Sequence, residues 1–284
     1  MFPLGHGQSV VSSGLLDCAD WRYLVPQRRE IRIDKPLTKL FSTTAVLAAL
    51  LLAACSQAPE GVAIHDPYEA TNRKVHEFNV GLDRAILRPA SRVTAAMPME
   101  ITVPVTNFAE NVALPGMVVN GVLQGDIKGF GTNTMRFIVN TIFGIGGLFD
   151  PADAIGLYEE KTDFGETLSV WGVPEGAYVE LPALGPSTER DAVGEIVDFF
   201  INPLGNWVSD YVKPYLTGSR AADVVITRGN LGSTIDSVLY ESADSYAQTR
   251  IIYLDNRRYE LGTVVQDAYI DPYADPYFDP YEDQ

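Results

Sequence analysis

Few residues in this chain are placed to do covalent chemistry. An acyl-transfer enzyme would carry its serine in Gly-x-Ser-x-Gly, where a strained turn exposes the hydroxyl; neither Ser187 nor Ser233 is followed two positions later by glycine. Of the three histidines, His6 falls in an export signal and His65 in a tether. His76 alone remains on a helix, where a single histidine reads as exposed or internally satisfied rather than as part of a triad or metal site. Glu159-Glu160 is no acid pair, because adjacent helical positions point apart. Of the two cysteines, Cys18 and Cys55, only Cys55 lies at the end of the signal. No disulfide framework or cysteine metal site can be built from it. These residues point away from catalysis, and no cofactor or metal is expected.

The chemistry that does stand out is at Cys55. Arg28, Arg29, Arg32, Lys35 and Lys39 make a basic region, followed by the apolar run from Leu40 to Ala54. That order is a secretory signal. Leu52-Ala53-Ala54-Cys55 resembles the bacterial lipoprotein box, whose small residues admit the signal peptidase and whose cysteine sulfur receives a diacylglyceryl group. Each buried methylene is worth about 0.8 kcal/mol, so several acyl chains hold a protein at a membrane almost permanently. Ser56 rather than Asp follows the cysteine, as in lipoproteins that go on to the outer membrane. The sequence divides into a signal at 1–54, whose first thirty or so residues suggest a start codon placed too far upstream, and a lipidated tether at 55–65. A helical domain at 66–262 and an acidic tail at 263–284 follow.

The formal net charge is −16, and without residues 1–54 there remain 15 basic against 33 acidic residues, a net −18. Nucleic acid is an unsuitable partner, since phosphate neutralisation needs clustered Lys and Arg. The tail repeats Asp-Pro-Tyr at Asp271, Asp275 and Asp279; proline at that density prevents helix and the acidity disfavours collapse, so it reads as disordered.

The elements before it read as helices broken by Gly and Pro. Asp66 is the expected N-cap of a first helix, with Pro67 at its first position and Glu69 closing a capping box. Val75, Phe78, Leu82 and Ile86 form one apolar stripe that ends before Pro89. A second helix is expected from Thr106 to Ala113, between Pro104 and Pro115. Asp163 caps a short helix, Ala177 to Leu181 alternates as an extended piece, and Ser187 to Asn202 is a helix with Val193, Ile196, Val197, Phe200 and Ile201 on its apolar side. Two more helices span Ala221 to Leu261, broken near Ser242 to Ser245.

The stretch from Gly116 to Asp153 has an odd composition for a soluble core and is too polar for a membrane span, which places it at a lipid boundary. Gly121, Gly125 and Gly129 recur every fourth residue, a small-residue face for close helix packing. The uncharged run Phe137 to Phe149 is shorter than the roughly 20 residues a spanning helix needs. It contains Gly144, Gly146 and Gly147, which can reverse the chain into an apolar hairpin dipping into one leaflet. A buried glycine-rich helix pair is the competing reading. Asp126 and Arg136 are either polar groups on a head-group path or a structural ion pair.

With these residues in place, the chain resembles the MlaA (VacJ) family of outer-membrane lipoproteins. The likeness is carried by Asp66-Pro67-Tyr68-Glu69 with Asn72-Arg73 and Phe78-Asn79, by Arg88-Pro89, and by Asn107-Phe108 with Asn111 and Pro115. It continues through Val119-Asn120, Leu123 to Asp126, Arg136-Phe137, Asn140-Thr141, Gly144, Gly146-Gly147 and Asp150. Further matches run from Asp163-Phe164-Gly165 to Arg190-Asp191, then thin to Tyr246, Arg250, Tyr253, Leu254 and Arg257-Arg258; the Asp-Pro-Tyr tail is outside the pattern. The resemblance implies a mostly α, ring-shaped single helical domain embedded in one leaflet, with an amphipathic central channel. It also implies removal of mislocalised phospholipid from the outer leaflet, a trimeric outer-membrane porin as partner, and delivery to a soluble periplasmic phospholipid carrier. On that reading Phe137, Ile138, Ile142, Phe143, Ile145, Leu148 and Phe149 line the channel or face lipid, with core packing as the alternative for each. A porin-associated scaffold that moves no lipid is the alternative function.

Overall fold

The computed structural model describes residues 64–204 and 208–263. The signal, Cys55, the tether up to residue 63 and the Asp-Pro-Tyr tail from 264 lie outside the described residues. The described part is mostly α-helical, with one two-stranded sheet.

Helix α1 (Glu69–Leu82) runs without a break through a π turn (Asp83–Leu87) into α2 (Arg88–Ala95). The expected stop before Pro89 does not occur: Arg88 N–H reaches back five residues to the Asp83 carbonyl, and Pro89 falls in the first turn of the next α segment, where its missing N–H costs nothing. Asp66 is not the N-cap. Tyr68 occupies that position, and the Asp66 carboxylate instead accepts from Asn72, Tyr246 and Arg250, joining the start of the domain to its last helix.

Helix α3 (Met99–Gln124) passes through both Pro104 and Pro115, which were expected to bound a shorter helix. It packs along α4 (Ile127–Ile142) and α8 (Lys213–Asn230), and that packing outweighs the local cost of the prolines. The turn between α3 and α4 corrects the glycine-face expectation. Gly125 is left-handed at φ 73° and ends α3, while Asp126 caps α4 through the Lys128 and Gly129 N–H groups, so the three glycines do not share one helix. Gly121 still mediates close packing, but across the hairpin: a Cβ there would lie 3.0 Å from the Phe130 nitrogen.

After α5 (Pro151–Ala154), helix α6 (Phe164–Val170) is capped by Asp163, as expected, through Glu166 N–H at 2.8 Å. Strands β1 (Tyr178–Leu181) and β2 (Gly185–Thr188) pair antiparallel, Tyr178 opposite Thr188. Thr188 then caps α7 (Glu189–Ile201) through Asp191 N–H. Helices α6 and α7 touch at glycine, where a Cβ on Gly194 would lie 2.7 Å from Gly165 Cα. Helix α8 leads through α9 (Gly232–Asp236) and a second π turn (Ser237–Glu241) to α10 (Ser245–Glu260), capped by Asp244.

The apolar stripes are present but face outward. Along α1 and the π turn that follows it, Asn72, His76 and Asp83 are buried while Phe78 and Ile86 are exposed; on α7, Arg190, Asp191 and Gly194 are buried while Ile196 and Phe200 are exposed. Beside the small cluster of Tyr178, Tyr246 and Leu254 and buried apolar residues such as Val112, Leu114, Leu168 and Ile226, the interior holds many polar and charged side chains. Such an interior holds only when most of its groups are paired, and charged pairs and hydrogen bonds run through it. Arg228 bonds both Asp83 oxygens at 3.0 Å, Tyr240 donates to Asp83 at 2.6 Å, and His76 lies between Glu180 and Ser245. Among the described residues no helix is long and apolar enough to cross a membrane.

Candidate functional site

Two features stand out, an apolar crown and a cavity. The crown is the α4–α5 connection. Phe143 ends α4, then Ile145, Gly146 and Gly147 take positive φ in succession at 54°, 72° and 97°. Space also demands glycine: a Cβ on Gly144 would collide with the Phe149 and Asn140 carbonyl oxygens, and one on Gly147 would lie 2.5 Å from Asn111 Nδ2. Beneath the turn, asparagines hold it. Asn107 donates to the Leu148 carbonyl at 3.2 Å, Asn111 to Thr141 at 3.2 Å, and Asn140 accepts from Ala152 N–H at 3.0 Å. With the backbone satisfied from below, Ile138, Ile142, Phe143, Ile145, Leu148 and Phe149 stand exposed, and Phe137 is half-buried.

Arg136 and Asp126 do not pair with each other. Buried Arg136 donates to the Leu157 carbonyl and, at 2.6 Å, to Asp150. Burial would raise the Asp150 carboxyl, yet Asp153 N–H, Arg136 and Asn140 together hold it below the usual carboxylate range. Ser187, tested above as a nucleophile, is fully buried and donates to the Thr188 carbonyl.

The cavity is elsewhere. It measures about 730 Å³ and lies among α3, the residues leading into α6, α7, α8 and the tip of the β-hairpin. Met117, Leu184, Ile196, Phe199 and Phe200 give it apolar walls; Asn120, Asp163, Glu195, Asp198, Asn202 and Arg220 supply polar groups. None of the seven crown residues lines it. Asp198 joins three elements, accepting from Phe164 N–H at 2.8 Å and from Asn120 Nδ2 at 2.8 Å. Burial pushes the Asp198 carboxyl up against the opposing pull of those donors. Glu195 is likewise pushed up, by desolvation and by the carboxylates of Asp191, Asp163 and Asp198.

Asp163, Glu195 and Asp198 also border a second cavity of about 320 Å³ beside α10. There Arg257 reaches Asp163 at 2.7 Å and Asp191 at 3.2 Å, and Tyr253 donates to Asp191 at 2.9 Å. Although burial raises it, the Arg257 and Arg190 guanidiniums hold the Asp191 carboxyl below the usual range. Of the cavity residues on α7 and α8, Ile196 and Phe200 were expected on the apolar side of their helix, but none was read from the sequence as a site residue. The Phe199-Phe200 pair ending a helix whose other face begins Arg190-Asp191 was the available signal.

The profile of the MlaA lipoprotein family matches residues 64–260. The chain belongs to the MlaA lipoprotein family. Within it, the intermembrane phospholipid transport system lipoprotein MlaA of Escherichia coli K12 is 32% identical over 77% of this chain and 87% of its own. The Haemophilus influenzae protein of that same description is 29% identical over 77% and 89%. A Rickettsia bellii protein is 36% identical over 66% of this chain and 73% of its own. A chain solved in work on the structural basis for maintenance of bacterial outer membrane lipid asymmetry superposes with a TM-score of 0.59 at 33% identity, covering 69% of this chain and 98% of that one. Several residues that carried the resemblance, among them Asn72, Asn120, Arg136, Asn140 and Asp191, are buried here in the polar part of the interior.

Proposed function

We propose that this protein is a lipid-anchored component of the Gram-negative outer membrane that removes mislocalised phospholipid from the outer leaflet and passes it to a soluble periplasmic carrier. The carrying observation is the reversed distribution of side chains around an amphipathic cavity. Many polar and charged groups lie in the interior beside a small apolar core, apolar groups cover much of the outside, and the 730 Å³ space has apolar walls with charged residues among them. Apolar surface on this scale marks a membrane or partner interface. In lipid it would be solvated by acyl chains, while the polar interior offers a head group a route that avoids its desolvation in hydrocarbon, otherwise a cost of several kcal/mol.

The crown, on this reading, inserts among acyl chains from the periplasmic side, with Cys55 carrying the covalent lipid that keeps it there. The ring shape and the trimeric porin partner that the resemblance implies belong to the same proposal. The deciding experiment measures outer-leaflet phospholipid in cells deleted for the protein and complemented with wild type, Cys55→Ala or Ala192→Trp, the last filling the cavity from α7. Surface phospholipid should rise on deletion and fall only with wild type. Full complementation by Ala192→Trp with normal expression would favour a porin-associated scaffold that moves no lipid.

A further inference from the structure

The cavity carries charge of both signs, and the two signs are not equally committed. Asp163 is engaged by Arg257 and by the N-terminus of α6, and Asp198 by Asn120 and Phe164 N–H. Two charged lining residues are left over. Glu195 on α7 and Arg220 on α8 are exposed, border the same apolar space, and have neither a hydrogen bond nor an ion pair among the described residues. A long side chain of each sign on different helices around one apolar chamber matches a molecule that is apolar at one end and zwitterionic at the other. A guanidinium presents its donors in a fork suited to phosphate oxygens, and a carboxylate accepts from a primary ammonium.

We infer that Arg220 and Glu195 form a head-group site that favours phospholipids bearing a primary amine, such as phosphatidylethanolamine, over net-anionic ones such as phosphatidylglycerol. The inference rests on the transport reading and names its substrate class. Arg220 takes the phosphodiester and Glu195 the ammonium, while Met117, Leu184, Ile196, Phe199 and Phe200 border the chain-bearing end. Discrimination has a second source. The lining acids Asp163, Glu195 and Asp198 outnumber Arg220, so a lipid of net negative charge adds to an existing surplus, whereas a zwitterion does not.

The test uses full-length lipidated protein released from detergent micelles and titrated with dihexanoyl phosphatidylethanolamine or dihexanoyl phosphatidylglycerol, bound lipid being counted by native mass spectrometry. Wild type should retain the ethanolamine lipid on the order of tenfold better, the worth of one charge-assisted hydrogen bond. Glu195→Gln should erase that preference without weakening the glycerol lipid, and Arg220→Gln should weaken both. Equal retention of the two lipids by wild type, or a preference that survives Glu195→Gln, overturns the inference and leaves transport standing. Wild type that holds neither lipid while Ala192→Trp complements in cells overturns the transport reading itself. Soluble glycerophosphoethanolamine competing as well as the intact lipid would also overturn the inference, because the apolar walls would then contribute nothing. Glu195 is exposed and without a hydrogen bond, so Glu195→Gln reports on the site without threatening the fold.

Discussion

Replacing Phe143 and Phe149 together by serine separates a crown that inserts into lipid from one that merely decorates the surface. Phe143 is 73% exposed and Phe149 54% exposed, so each already has most of its cost in water and little to lose from the fold. Fully burying a phenylalanine is worth about 1.5–3 kcal/mol. Scaled by those exposures, the pair contributes roughly 2–4 kcal/mol to membrane insertion, which corresponds to a partition coefficient about 30- to 700-fold higher. The assay is co-sedimentation with phospholipid vesicles, run on the Cys55→Ala chain so that acyl anchoring does not mask the effect. The double substitution should lower binding by that factor and leave the melting temperature nearly unchanged, since exposed positions away from special features shift stability by about 0.5 kcal/mol or less. Unchanged vesicle binding would refute the reasoning. So would a large drop in melting temperature, which would make the two rings core residues after all.

Two further outcomes follow from the polar interior. Arg257→Leu removes the cation shared by Asp163 and Asp191 while Arg190 and Tyr253 still face Asp191; equilibrium denaturation should show a loss of about 2–3 kcal/mol, short of the full cost of orphaning a buried charge. The pH dependence has two opposing parts. Asp150 and Asp191 are held below the usual carboxylate range, so they stabilise the fold at neutral pH and lose that contribution as pH falls below it. Glu195 is raised, so its favourable contribution is fully present in acid and lost as pH climbs through its folded value. Glu195→Gln should therefore melt higher than wild type at pH 7, and the difference should vanish near pH 4; a constant difference across that range would contradict the assignment.

Local capping was legible wherever the cap and its target are neighbours in sequence. Asp163 occupies its N-cap position as read, and the extended piece at Tyr178 and the break at Ser242 are present, whereas the helix expected from Ser187 starts only at Glu189 because Ser187 and Thr188 pair in β2. Asp66 failed because a long-range partner outbid a local one. Its carboxylate is taken by Tyr246 and Arg250, some 180 residues away, and no pattern near Asp66 announces that. Pro89, Pro104 and Pro115 failed for a related reason: a π turn before one and packing along α4 and α8 for the others restore what local propensity forbids.

The sequence by itself determined the positions of the apolar stripes, the glycines needed at the crown, the acidic balance and the order of family motifs, because these depend on residue type and spacing alone. It could not determine which face of each helix points inward. Periodicity marks two faces as different and is silent on which one meets solvent, and in ordinary water-soluble domains the apolar face goes in. Only the tertiary structure, with Arg228 between Asp83 and Asp236, Arg257 between Asp163 and Asp191, and asparagines under the crown, shows enough mutual pairing for the polar face to be buried instead. Around the cavity the same folding engages Asp163 and Asp198 and leaves Glu195 and Arg220 uncommitted, a distinction that spacing along the chain cannot show.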